Sequence, residues 1–67
     1  MNKFPERLKE LRLEKNFSQD KLSEETGISQ AIISLYEKGQ RSPTIDIIII
    51  LCHYFNVSSD YLIGLVD

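Results

Sequence analysis

The chain has 67 residues, enough for one domain, and a chain this short buries only a limited fraction of its surface. Its hydrophobic share of 42% is that of a folded globular protein rather than a disordered one, while one Cys and one His supply neither a disulfide nor the four ligands a structural zinc site takes. The net charge of −2 is unevenly spread: all 8 Lys and Arg lie in residues 1–41, which sum to +1, and residues 42–67 carry Asp46, Asp60, Asp67 and no base, so any surface for a polyanion would belong to the first 41 residues.

Punctuation divides the chain into five short helices. Phe4, Leu8 and Leu11 follow the spacing of one helix face, with Pro5 in the first turn, where its missing N–H costs nothing. Asn16 is placed to end this helix in a left-handed turn near Lys15. Ser18 caps a second helix running to about Thr26, and Gly27 stops it. Ser29 caps a third helix, closed by Gly39. Only Gly27, Ile28 and Ser29 separate the second and third helices, a turn too tight for an antiparallel pair, so the two cross steeply. Ser42-Pro43-Thr44 forms the next loop, and Thr44 caps a fourth helix to about Phe55. Asn56-Val57-Ser58 makes a turn, and Ser58 caps a short fifth helix with Asp60 near its positive end and Gly64 after it.

Several residues in this order carry a resemblance. They are Leu8-x-x-Leu11-Arg12, Ser18-Gln19-x-x-Leu22, Gly27-Ile28-Ser29, Ile33-Ser34-x-Tyr36-Glu37-x-Gly39, Pro43, and Phe55-Asn56-Val57-Ser58-x-Asp60-Tyr61-Leu62. From Leu8 to Gly64 the chain resembles the Cro/phage-repressor (Xre-type) helix-turn-helix family. The resemblance implies an all-α, compact five-helix, repressor-like fold over residues 1–67 as a single domain, with the helix-turn-helix in residues 18–37. It implies sequence-specific binding of double-stranded DNA by a transcriptional regulator, most often a repressor.

Each element also has a physical reading. Leu22, Ile28 and Ile33 hold the two crossing helices at a fixed angle. Ser23 sits at their approach, where a small side chain is needed, and its hydroxyl is expected to bond back to a carbonyl one turn earlier. With Ile33 as the core direction and about 100° per residue, Ser29 and Tyr36 stay near the core side of the third helix. Ala31, Ser34, Leu35 and Lys38 then point outward, flanked by Gln30. That face, with Ser29 at its start among the expected DNA contacts, would enter the major groove, N-terminal end first. Gln30 suits an adenine edge, while Ala31 and Leu35 suit thymine methyls. Lys38 and Arg41 would meet phosphates. The resemblance makes Gln19 a phosphate contact beside a helix N-terminus, and makes Arg12 and Glu37 a structural ion pair.

Departures from the family pattern are apolar. Leu35 stands where a base-contacting polar residue is common, Ile47 and Ile50 where Thr and Lys are usual, and Leu13 where a charge is common. A fourth helix apolar around much of its circumference needs a cover that a chain of this size lacks. The expected cover is a second copy, through Ile47, Ile50, Leu65 and Val66; the alternative is a tail that folds back over the isoleucines. Cys52 and His53 diverge by about 100° on the helix and suggest neither metal binding nor catalysis. Tyr36, Tyr54 and Tyr61 read as packing residues.

No Ser/His/Asp set, Gly-rich phosphate loop or metal cluster points to an enzyme, and no cofactor or small-molecule ligand is implied. Residues 1–13 are broken by charges, and the longest apolar run, residues 47–52, is far below the roughly 18 residues of a membrane span. The expectation is a cytoplasmic protein that associates with the nucleoid through DNA. The competing function is a protein-interaction module that keeps the helix-turn-helix fold and docks through Leu35.

Overall fold

Ser and Thr side chains set where the helices begin. The computed structural model describes residues 2–67, and these contain five helices and no strand: α1 (Phe4–Glu14), α2 (Gln19–Thr26), α3 (Gln30–Glu37), α4 (Ile45–Phe55) and α5 (Ser59–Ile63). Ser18, Ser29, Thr44 and Ser58 each hold extended backbone and accept from the N–H three residues on, at 3.0, 3.1, 3.3 and 3.0 Å. Each cap satisfies a donor that the helix cannot, and is worth about 1 kcal/mol. Helix α1 starts differently: Pro5 occupies its first turn, and Asn2 Oδ1 accepts from the Phe4 N–H at 2.9 Å.

Left-handed residues set where the helices end. Asn16, Gly27, Gly39, Asn56 and Gly64 all have positive φ. At Gly27 a Cβ would meet nothing within 4 Å, so the φ of +78° alone favours glycine. At Gly64 the constraint is double, because a Cβ would lie 2.9 Å from the Lys3 backbone nitrogen, which itself donates to Ile63 O.

The apolar faces converge on one core. Phe4, Leu8 and Leu11 of α1 meet Leu22, Ile28, Ile33, Tyr36, Leu51 and Leu62. Phe4 and Tyr36 stack edge to face, with centroids 5.4 Å apart. Helix α1 packs on α3 and α5, α2 on α3 and α4, and α4 on α5. Tyr54 and Tyr61 are half-buried against this core.

One buried group was not visible in the sequence. Arg7 is buried, and its Nη1 donates to Tyr61 O at 2.5 Å and to Val66 O. Its guanidinium also lies 4.3 Å from the Tyr61 ring centroid. These bonds pin residues 65–67 beside α1. The tail therefore leaves Ile45, Ile49 and Ile50 of α4 uncovered, at 79%, 50% and 40% exposure. No helix among the described residues is long and apolar enough to cross a membrane.

The two glycines should respond differently to alanine. Gly27→Ala should cost about 1 kcal/mol, the penalty of a left-handed L-residue. Gly64→Ala should cost clearly more, because Lys3 must also move. Urea denaturation of both variants checks the order, and equal losses would contradict it.

Candidate nucleic-acid interface

The turn between α2 and α3 is built from inside. Ile28 is buried beneath it, between the fully buried Leu22 and Ile33. The back-bonding hydroxyl belongs to Thr26, not to Ser23 as the sequence suggested. Thr26 Oγ1 donates to Leu22 O at 2.8 Å and accepts from the Ile28 N–H at 3.3 Å. Ser23 is only half-buried, so its hydroxyl keeps access to solvent and has no need of a carbonyl.

Helix α3 divides into two faces. Ile33 and Tyr36 are buried, Gln30, Ala31 and Lys38 are exposed, and Ser34 and Leu35 are half-buried between them. Arg41 is exposed just beyond the helix. Ser29 is exposed rather than turned to the core side. As the cap it lies outside the helical φ/ψ range, where stepping around a helix no longer predicts direction. Its hydroxyl accepts from the Ile32 N–H.

Behind this face lies a continuous row of hydrogen bonds. Arg12 Nε and Nη2 donate to Glu37 Oε2 and Oε1 at 2.7 and 2.8 Å, a bidentate pair whose side chains are 9% and 5% exposed. The remaining Nη1 donates to Phe17 O at 2.8 Å. The hydrogen bond to Glu37 pushes the Arg12 pKa further up despite burial. Gln19 Nε2 also donates to Glu37 Oε1, at 3.1 Å, and Gln30 Nε2 donates to Gln19 Oε1 at 2.7 Å. The ion pair thus joins α1 to α3, and two glutamines carry the row out to the start of α3. The sequence named all four residues and the Arg12–Glu37 pair, but not the two links through Gln19, which is 18 residues from Glu37 and 11 from Gln30.

A second tie crosses from α2 to α4. Tyr54 Oη donates to Glu25 Oε1 at 3.0 Å, and Lys21 approaches Glu25 at 3.5 Å. Glu25, Thr26, Ile49, Ile50, His53 and Tyr54 line an open groove of about 430 Å³ beside it. Of the residues expected at a dimer contact, Ile50, Leu65 and Val66 are exposed, the last two at 71% and 49%. Ile47 packs half-buried against the core instead, and Ile45 and Ile49 occupy the outer face of α4. Burial pushes the Cys52 thiol pKa up, which keeps it protonated and apolar.

The sequence profile of the helix-turn-helix family matches residues 8–62, close to the span of 8–64 read from the motifs. The HTH-type transcriptional regulator YobD of Bacillus subtilis is 34% identical over 64 residues, which cover 96% of this chain and 57% of that protein. The HTH-type transcriptional regulator ImmR, also of Bacillus subtilis, is 38% identical over 58 residues, covering 87% and 46%. A crystal structure of a transcriptional regulator from Listeria innocua superposes with a TM-score of 0.88 at 28% identity, over 100% of this chain and 63% of that one. The chain spans about half the length of the curated relatives it matches.

Glu37→Gln should lower the thermal midpoint. It leaves the buried Arg12 charge without its counter-ion and sets one Arg12 donor against an amide nitrogen, at a cost of about 3–5 kcal/mol. A thermal melt followed by circular dichroism measures this, and an unchanged midpoint would contradict the structural role of the pair.

Proposed function

The chain belongs to the Cro/phage-repressor (Xre-type) helix-turn-helix family, and from that premise we propose that it binds double-stranded DNA sequence-specifically and regulates transcription. Members of this family are regulators rather than enzymes. In the proposed complex α3 enters the major groove N-terminal end first. Gln30 reads an adenine edge, and Ala31 and Leu35 touch thymine methyls. Ser29 and Ser34 border this contact. Lys38, Arg41 and Gln19 hold phosphates, Gln19 together with the N–H groups at the start of α2. The observation that carries the reading is Gln30: an exposed amide at the tip of α3, already held by Gln19 at 2.7 Å.

The proposed protein acts as a homodimer on a near-palindromic operator, with half-sites about 34 Å apart. One eight-residue recognition helix reaches few base pairs, so two copies supply the specificity. The support is the uncovered apolar face of α4, with Ile45, Ile49 and Ile50 exposed, and the exposed side chains of Leu65 and Val66 in the tail. Occupying an operator that overlaps a promoter represses transcription, and this is the mode proposed, in the cytoplasm and on the nucleoid.

Selection from random DNA at defined salt should recover a near-palindrome with adenine at one position per half-site. Gln30→Ala should flatten that position alone. Lys38→Ala should weaken all sequences alike and reduce the salt slope by about 1. Binding without salt dependence would instead favour a protein-docking role for the same face. Sedimentation should show a dimer at micromolar concentration that Ile49→Asp converts to monomer; a wild-type monomer would remove the dimer.

A further inference from the structure

A carboxylate only accepts hydrogen bonds, whereas a primary amide has one accepting oxygen and a nitrogen with two hydrogens. These facts give the row from Arg12 to Gln30 a direction. Both oxygens of Glu37 already accept from the Arg12 fork, and Oε1 takes one bond more, at 3.1 Å from Gln19. Only an N–H can fill that place, so Gln19 turns its nitrogen toward Glu37 and its oxygen toward Gln30. That oxygen in turn requires the nitrogen of Gln30, which lies at 2.7 Å. The orientation of both amides follows from the carboxylate at the row's inner end.

We propose that Glu37, acting through Gln19, sets which base Gln30 selects. The proposal rests on the reading of Gln30 as a base reader. One N–H of Gln30 is given to Gln19, so the amide presents its oxygen and its other N–H outward, one acceptor and one donor. Adenine offers the complement in the major groove, the N6 amino donor and the N7 acceptor. Guanine offers two acceptors, N7 and O6, and would set its O6 against the amide oxygen. A reversed Gln30 would present two donors and suit guanine, but the reversal would turn the Gln19 oxygen onto the Glu37 carboxylate. Glu37 and Gln19 are in this respect positioning residues: they choose between two orientations that would otherwise be close in energy.

The test is the ratio of affinities for adenine and guanine at the position that Gln30→Ala flattens. A ratio is insensitive to the phosphate contact that Gln19 variants also lose. Wild type should favour adenine by about tenfold or more. Gln19→Met, a change at a half-buried surface position, should bring the ratio near unity. Glu37→Gln should lower it several-fold, because an amide at 37 can face Gln19 with either atom. The double variant should match Gln19→Met alone, since without Gln19 nothing carries the polarity of residue 37 outward. Leu51→Ala destabilises the core without touching the row and should keep the wild-type ratio. Folding of each variant is checked by circular dichroism, and Gln19→Met decides the matter if Glu37→Gln does not fold. A full adenine preference in Gln19→Met overturns the proposal, as does an equal effect of Glu37→Gln with and without Gln19. A wild type that shows no adenine preference, or no salt-sensitive DNA binding, overturns the base-reading assignment itself and the proposal with it.

Discussion

Arg12 brings a permanent charge into a core with little depth, and it stays there because each nitrogen of its guanidinium has an acceptor. Two nitrogens bond the Glu37 carboxylate and the third bonds Phe17 O. Buried pairs of this kind add little net stability over an apolar pair of the same volume, although breaking one costs about 3–5 kcal/mol. What the pair supplies, and an apolar pair would not, is a fixed acceptor at the base of α3. It also joins three segments that sequence alone leaves independent: α1, the loop before α2, and the end of α3.

From that anchor the outward face of α3 follows. Gln19 lies at the start of α2, and its amide is oriented by Glu37. Gln30 lies at the start of α3, and its amide is oriented by Gln19. The starts of both helices of the helix-turn-helix are thereby tied to one buried carboxylate. The apolar side of the same arrangement is Ile28, wedged under the turn between Leu22 and Ile33. Packing fixes how the two helices cross, and the polar row fixes what their tips present.

The helix boundaries were legible in the sequence because their chemistry is local. A cap at Ser18, Ser29, Thr44 or Ser58 is completed three residues away, and a stop at Gly27 or Gly64 is a property of one residue's backbone. The core was legible for the same reason, through the spacing of Phe4, Leu8 and Leu11. What was hidden depends on distance along the chain or on helical phase. Arg7 finds its acceptors 54 and 59 residues away, at Tyr61 and Val66. In the isoleucine run every position is apolar, so periodicity gives no phase. Leu51, fully buried, fixes it, turning Ile47 inward and Ile45 and Ile49 outward. The bonds among Gln19, Gln30 and Glu37 join polar residues at helix ends, far apart along the chain, and their individual character gives no sign that the glutamines share a row.

Order in that row can be read in the protein without DNA. Nitrogen relaxation of the side-chain amides should show Gln19 nearly as rigid as the helix backbone, with an order parameter approaching about 0.85. Gln40, an exposed glutamine just past the end of α3, serves as the internal reference and should fall below about 0.6. A Gln19 amide as mobile as that of Gln40 would contradict the account.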